Sequence, residues 1–224
     1  GLGNFLSGCT GPDDEPGTEV DGGDPTLEEP VLPHTHQTYN MEWEAKIPKT
    51  MPRTGYNKDF YFFAQWFPKL GVYEPAGMRY NTEGKWNCHQ YHSSGEYYAD
   101  FGVYKVHMTV PLDFEVASSG RLTGEDKQAD SRTWHFEVDD VIDFTWTCSP
   151  HFQKHEDSLD DTSIKLYTYP YKKHFSERYL PTIKHCMTYL RDHFEPYPYP
   201  TLSIIDPPIH GMYTGGMEYP TLIT

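Results

Sequence analysis

The segment Gly215-Gly216-Met217-Glu218 has the residue types and spacing needed to grip a peptide. Two adjacent glycines leave a backbone that another extended chain can approach closely. Glu218 then places one carboxylate among apolar and aromatic neighbours, on a segment of strand-like composition. We expect the edge of this strand to pair with the main chain of a peptide, while Glu218 holds a positive group such as a free amino terminus. The residues alone also allow a glycine turn that leads into an ordinary strand with a solvated Glu218.

Two stretches resemble the zinc aminopeptidases of the aminopeptidase N type, which are gluzincin metallopeptidases. The first stretch runs from Pro198 to Pro208, and the second is Gly-Gly-Met-Glu-Tyr-Pro, which ends at Pro220. In that family a Gly-x-Met-Glu-Asn segment lines the substrate cleft, and its Glu holds the free amine of the substrate. The resemblance implies this role for Glu218, with main-chain contacts to the peptide from Gly215 to Met217. Tyr219 stands where the family usually has Asn.

A third similarity lies in Ala64-Gln65-Trp66-Phe67 and the later Glu74-Pro75. Family members carry a Thr-Gln-x-Glu or Thr-Gln-x-Gln segment in their amino-terminal domain, followed shortly by an Arg and an acidic-Pro pair. The resemblance implies that Gln65 reaches into the active site as a substrate-binding residue. Phe67 falls where the family places a second polar residue for the substrate amine. The residues alone leave open that the Gln65 amide only satisfies buried backbone groups.

The resemblance implies zinc as a cofactor, but the sequence lacks the family's ligands. Those ligands are a His-Glu-x-x-His helix, which places two His on one face around a Glu general base, and a further Glu downstream. No His-Glu-x-x-His pattern occurs among the 224 residues. We therefore expect no catalytic residue and no metal ligand in this chain, with the zinc ligands beyond Thr224. The chain would be inactive by itself and would belong to a longer enzyme.

Other histidine pairs are weaker metal candidates. His89 and His92 would point to opposite faces of a strand, which disfavours shared coordination. His151 and His155 have helical ligand spacing, but no Glu follows the first His. We expect the segment from His151 through the acidic run 156–161 to be a loop that links two domains. The four cysteines are scattered without a Cys-x-x-Cys pair, so structural zinc on cysteine is not expected.

Charge and hydropathy narrow the choice of partners. The chain has 18 basic and 33 acidic residues, a net charge of −15, which disfavours nucleic acid and anionic membrane surfaces. No apolar run approaches the roughly 18 to 20 residues needed to cross a bilayer. A peptide is the expected partner. A secreted, periplasmic or cell-envelope location is implied by the resemblance alone.

Apolar periodicity predicts a mainly β protein built around an antiparallel sandwich. Apolar and polar residues alternate over 105–110 and 134–139, and the turn Ser118-Ser119-Gly120 lies between these strands. Residues 41–45 predict a half-buried strand, and residues 60–67 a strand covered on both faces.

The last quarter of the chain has a different pattern. Apolar residues from Phe175 to Phe194 follow one helical stripe, in which Pro181 predicts either a kink or the start of a second helix. A short buried strand is predicted at 202–205. Residues 211–215 are predicted to be a flexible lead into the strand that holds Glu218.

These patterns and the resemblance divide the chain into three segments. Residues 1–33 are expected to be an acidic loop or insertion, and residues 34–156 the latter part of an amino-terminal β-sandwich domain. Residues 157–224 would be the truncated start of a thermolysin-like α+β catalytic domain. The chain would thus be part of a zinc aminopeptidase that hydrolyses amino-terminal residues from peptides. The alternative is a non-catalytic peptide- or carbohydrate-binding β-sandwich, or an inactive relative of the aminopeptidases.

Overall fold

The computed structural model describes residues 36, 38–49, 53–87 and 98–224. They are mainly β and pair largely in antiparallel sheets, which confirms the predicted class. The chain divides into two compact units, one of residues 1–46 and 67–100 and the other of residues 47–66 and 101–224. The predicted acidic loop at 1–33 and the pair His89 and His92 lie outside the described residues.

Among the described residues of the first unit, the short strands Val72–Glu74 and Lys85–Asn87 pair as an antiparallel hairpin. A 3₁₀ turn, Met78–Tyr80, lies between these strands. The strand predicted at 41–45 is wrong, because residues 38–48 have no regular structure and Met41 and Trp43 are 43% and 44% exposed. Alternation of apolar residues makes a strand only where another strand supplies hydrogen bonds, and no described strand pairs with these residues.

A buried carboxylate holds this hairpin together. Glu74 is 1% exposed. It accepts hydrogen bonds from Asn81 (2.7 Å), Asn87 (2.9 Å) and the Tyr98 hydroxyl (3.1 Å), and Arg79 Nε lies 3.6 Å from Glu74 Oε1. The hydrogen bond from Asn87 lowers the pKa of Glu74 most, against the opposing effect of burial. The ionised carboxylate is therefore the form that the folded hairpin stabilises.

We expect Glu74→Gln to destabilise the hairpin at pH 7 and to flatten its pH dependence. Because folding lowers the pKa of Glu74, its contribution is complete above the unfolded value of 4.5 and is lost as pH falls through the lower folded value. Amide hydrogen exchange of the two strands at pH 7 measures the first effect, and melting temperatures from pH 6 to pH 3 measure the second. The exposed Glu83→Gln is the matched control. Equal behaviour of the two variants would contradict the role of Glu74.

Two antiparallel sheets of the second unit contain the strands predicted at 105–110 and 134–139, whereas the strand predicted at 60–67 ends at Phe63. Strands are numbered in chain order, with the hairpin of the first unit as β3 (Val72–Glu74) and β4 (Lys85–Asn87). The four-stranded sheet has the order β1 (Thr54–Asn57), β2 (Phe60–Phe63), β9 (Trp146–Ser149), β6 (Glu115–Ser118). The three-stranded sheet has the order β5 (Gly102–Pro111), β8 (Ser131–Val141), β7 (Arg121–Lys127).

The third sheet is mixed, and most of it lies in residues 157–224, outside the segment predicted to be an antiparallel sandwich. Its order is β10 (Gln153–Leu159), β11 (Thr162–Thr168), β12 (Thr201–Ile205), β14 (Leu222–Ile223), β13 (Glu218–Tyr219). The pairs β11–β12 and β12–β14 are parallel. The helix α1 (Ser176–His193) lies between β11 and β12 in the chain, as a parallel connection requires.

The loop predicted from His151 through residue 161 is wrong, because β10 occupies most of it. Exposed and half-buried residues alternate along it, so Lys154, Glu156 and Ser158 lie on the exposed face of a paired strand. Asp157 on the other face accepts a hydrogen bond from Lys184 of α1 at 2.9 Å. The predicted domain boundary between residues 156 and 157 falls inside this strand.

The predicted helix is confirmed with nearly the predicted bounds. One helix, Ser176–His193, continues through Pro181, so the alternative of a second helix that begins there is wrong. The proline lies near the amino-terminal end, where it removes one backbone hydrogen bond. Only Ser176 of this helix is buried, and Leu190 is 52% exposed.

An aromatic core joins the four-stranded sheet to the mixed sheet. Its buried members are Phe60, Phe62, Ala64, Ala117, Tyr167, Ile205, Tyr219 and Leu222. The rings of Phe62 and Tyr219 lie 5.7 Å apart between centroids, a distance at which aromatic pairs attract. The two short strands at the end of the chain are therefore anchored in the core, although they contain only two residues each.

Candidate functional site

Gly216 forms a β-bulge at the start of the terminal hairpin. The Gly216 N–H donates to the Thr224 carbonyl at 2.6 Å, and the Thr224 N–H donates to the Met217 carbonyl at 3.0 Å. Gly216 and Met217 thus lie opposite the single residue Thr224. Gly216 has a left-handed φ of +77°, which is typical of a β-bulge that begins with glycine. A Cβ at Gly216 would meet no atom within 4 Å. Glycine is needed there for its dihedral angle, and the space beside it is open.

The segment before the bulge is folded into a 3₁₀ helix, Ile209–Thr214, so the prediction of a flexible lead at 211–215 is wrong. Packing explains the difference, since a Cβ on Gly211 would lie 2.5 Å from the ring of Phe60. The Thr214 hydroxyl donates to the Gly211 carbonyl at 2.8 Å. The Thr224 hydroxyl donates to the Thr214 carbonyl and accepts from the Met217 N–H at 3.3 Å. These contacts fix the backbone of Gly215 and Gly216 on both sides.

Glu218 lies on the edge strand of the mixed sheet, as predicted for the strand. Tyr219 is 5% exposed and Met217 packs against the core, whereas Glu218 is exposed on the opposite face. No hydrogen bond or ion pair of the Glu218 carboxylate is present in the described part of the chain. Because Met217 bonds to Thr224 and Tyr219 pairs with Leu222, the alternation of an antiparallel ladder directs the Glu218 N–H and carbonyl away from β14.

The turn Ser118-Ser119-Gly120, which follows β6 of the four-stranded sheet, holds the terminal hairpin in place. The sequence did not predict this contact. The Ser119 hydroxyl donates to the Pro220 carbonyl at 2.8 Å, and the Gly120 N–H donates to Thr221 Oγ1 at 2.7 Å. The Ser203 N–H of β12 donates to the Thr221 carbonyl at 2.9 Å. The sequence Ser118-Ser119-Gly120 indicated a turn but contained no signal for its partner about 100 residues away.

Gln65 has a partner within the fold. Its amide donates to Asp143, which is 4% exposed and also accepts from the Phe144 N–H at 2.8 Å. Gln65 has a left-handed φ of 56°, which is uncommon for a residue other than glycine. Ala64, which precedes Gln65, belongs to the same core cluster as Tyr219, which follows Glu218. The role of Gln65 toward a substrate stays a prediction, and its amide serves a buried carboxylate in the structure.

Phe67 belongs to the first compact unit. There the Lys69 ammonium lies 5.3 Å from the centroid of the Phe67 ring. Tyr219, the other departure from the family pattern, fills the core with its ring. An Asn at this position would remove the aromatic contact to Phe62, so the departure at Tyr219 has a packing role in this chain.

The described residues contain no group of three or more His, Cys, Asp or Glu side chains placed to hold a metal ion. His151 and His155 have different partners, namely Asp59 at 3.4 Å and Thr168 Oγ1 at 3.1 Å. Burial raises the pKa of the Cys148 thiol to about 12, so that sulfur stays protonated and is a poor ligand near neutral pH. Among the described helices, none is long and apolar enough to cross a membrane.

No protein-family model matches the sequence, and no curated protein matches it.

Proposed function

We propose that this chain is the part of a zinc aminopeptidase that binds the free amine and main chain of a peptide. The observation that carries the proposal is the exposed Glu218 carboxylate on an edge strand, directly after the Gly216 bulge. The mixed sheet with α1 would be the opening of the thermolysin-like catalytic domain. The antiparallel sheets before it would be the latter part of the amino-terminal β-sandwich domain.

An extended peptide can join the edge of β13 as an additional strand. The outward N–H and carbonyl of Glu218 supply main-chain hydrogen bonds, which bind without regard to the peptide's side chains. The open space at Gly216 lets the peptide backbone approach the bulge. The bonds that fix Gly215 to Met217 keep this edge ordered before the peptide arrives, which reduces the entropy lost on binding.

The Glu218 carboxylate supplies the polar end of this site. A peptide's amino terminus is an ammonium group at neutral pH, and a carboxylate that is not already paired can accept its hydrogen bonds. The binding mode therefore favours peptides whose first residue lies at Glu218. Such end recognition is what an aminopeptidase requires of its substrate site.

The described residues do not fit a zinc site, since they offer no group of three ligands. This chain would supply peptide binding, and the resemblance implies that the zinc ligands lie beyond Thr224. An inactive relative of the aminopeptidases would bind the same peptide amine without hydrolysis.

Two measurements test the enzymatic proposal. We expect the residues encoded after Thr224 in the gene to contain His-Glu-x-x-His within a few dozen positions, because the zinc helix follows the amine-binding segment closely in the resembled family. The 224-residue chain itself should release no amino-terminal residue from Ala-Ala-Ala in a chelator-sensitive manner. A gene without the zinc motif would contradict the enzymatic proposal, and chelator-sensitive turnover would contradict the placement of the ligands outside this chain.

A further inference from the structure

A cavity of about 350 Å³ lies in the second unit, beside the carboxyl-terminal part of α1. Three segments bound it: residues 159–162, where β10 turns into β11, the last turns of α1, and residues 196–200, which lead into β12. The cavity shares no lining residue with Gln65 or residues 215–218. Its volume is within the usual range for small-molecule sites.

Two tyrosine rings belong to the lining of this cavity. The ring centroids of Tyr197 and Tyr199 lie 5.6 Å apart, with 64° between the ring planes. The Tyr199 hydroxyl donates to the Asp140 carbonyl at 2.9 Å, and the Tyr197 hydroxyl donates to the Thr201 carbonyl at 3.3 Å. Burial raises the pKa of Tyr197, so its hydroxyl stays protonated. Both hydroxyls are thus used within the fold, and the two residues offer a ligand their ring surfaces.

The charged residues of the lining are Asp160, Asp161 and Arg191. Arg191 is already bound to two carboxylates, since its Nη1 lies 2.8 Å from Asp160 Oδ2 and its Nε lies 2.9 Å from Asp192 Oδ1. The hydrogen bonds to Asp192 and Asp160 raise the pKa of Arg191. Asp161 is exposed, and its carboxylate has no hydrogen bond or ion pair with any other described residue. The cavity therefore keeps one carboxylate available to a ligand.

The remaining polar side chain of the lining is also engaged within the fold. The Thr162 hydroxyl donates to the Tyr199 carbonyl at 3.1 Å. The cavity thus combines ring and proline surfaces with the acceptor oxygens of Asp161. An anionic ligand would meet two aspartates and the net charge of −15, which disfavours its binding. The lining favours a cation that donates hydrogen bonds and has an apolar part.

We propose that this cavity binds an alkyl guanidinium, either in a free small molecule or as the arginine side chain of a peptide. A guanidinium has five N–H donors and no acceptor, and its planar fork can donate two hydrogen bonds to one carboxylate such as Asp161. The same plane can stack on the ring of Tyr197 or Tyr199. A guanidinium is more weakly hydrated than an ammonium group, so it loses less when it enters a partly apolar cavity. The alkyl stem packs against the apolar side chains of the lining.

The probes are n-butylguanidinium and n-butylurea, which has nearly the same shape but no charge. Each is titrated into the full chain by calorimetry and mapped by NMR chemical shifts. We expect n-butylguanidinium to bind with a Kd of about 1 mM or tighter, and n-butylurea about tenfold more weakly or not at all. Asp161→Asn should weaken n-butylguanidinium binding about tenfold, because the bond to a charged acceptor is lost. Tyr199→Phe should retain the affinity, since the ring remains.

The matched control is Asp113→Asn, which removes another exposed carboxylate of the second unit outside the cavity. Melting temperatures of the variants show that they are folded. The proposal is wrong if n-butylguanidinium does not bind saturably, if n-butylurea binds equally well, or if the two aspartate variants lose affinity equally. The last result would mean that n-butylguanidinium is attracted only by the overall negative charge.

Nα-acetyl-arginine N-methylamide distinguishes the two sources of the guanidinium. Binding as tight as that of n-butylguanidinium assigns the cavity to an arginine side chain of a peptide, whereas much weaker binding assigns it to a free small molecule. Glu218→Ala should leave the affinity for n-butylguanidinium unchanged, because Glu218 does not line the cavity. The guanidinium proposal and the proposed peptide binding at Glu218 can therefore fail independently.

Discussion

Glu218→Ala weakens the binding of Ala-Ala-Ala about tenfold or more and leaves the binding of N-acetyl-Ala-Ala-Ala nearly unchanged. Hydrogen bonds to charged groups contribute about 1.5–3 kcal/mol, and the exposed position of Glu218 places the expected loss at the lower end. The acetylated peptide has no ammonium group, so it retains only the main-chain pairing with the edge of β13. Calorimetric titration of both peptides into the wild-type chain and the variant measures the difference. In a longer protein with an intact zinc site, the same change should raise KM for free-amine peptides.

The control for this experiment is Glu195→Ala, which removes another exposed carboxylate of the second unit. It reduces the negative charge of the chain by the same amount, so it reports any general electrostatic effect on a cationic peptide. Similar losses in the two variants, or equal losses for the free and acetylated peptides, would refute the assignment of Glu218 as the amine anchor.

Local periodicity predicted the elements whose partners are close or whose pattern is long. Strands β5 and β8 alternate over seven or more residues, and α1 has an apolar stripe of five turns. Such a pattern directs one face of the strand or helix toward the core, whichever element packs against it. The glycine pair before Glu218 indicated a strand edge for the same reason, because the signal lies within a few residues.

The predictions that were wrong concern segments whose structure depends on whether a partner strand pairs with them. Residues 41–45 alternate but pair with no described strand, whereas the acidic β10 resembles a loop in composition and is a strand because β11 pairs along its whole length. The Gly216 bulge depends on the Thr224 backbone, and the terminal hairpin is held by Ser119 and Gly120, about 100 residues earlier in the chain. The pattern of a single segment contains no information on such long-range contacts, so the details of the site could not be predicted from the sequence.

Gly120→Ala should lower the free energy of unfolding of the second unit by about 3 kcal/mol. An added Cβ would lie 2.5 Å from the Glu137 carbonyl oxygen and 2.9 Å from Val138 Cβ, so β8 would have to move. Gly120 also has a φ of +78°, which disfavours alanine independently of space. Movement of this turn would disturb the hydrogen bond from the Gly120 N–H to Thr221 and hence the hairpin that holds Glu218. Urea unfolding followed by circular dichroism measures the loss.

Gly216→Ala separates the effect of the backbone dihedral angle from that of the steric contact. Its φ of +77° is nearly the same as that of Gly120, but its Cβ would meet no atom within 4 Å. We expect this variant to lose only about 1 kcal/mol, the part that comes from the left-handed backbone. The difference between the two variants then measures the contact of Gly120 with β8. Equal losses would show that the Gly120 turn can shift without strain, and that close packing against β8 does not fix the turn that binds the hairpin.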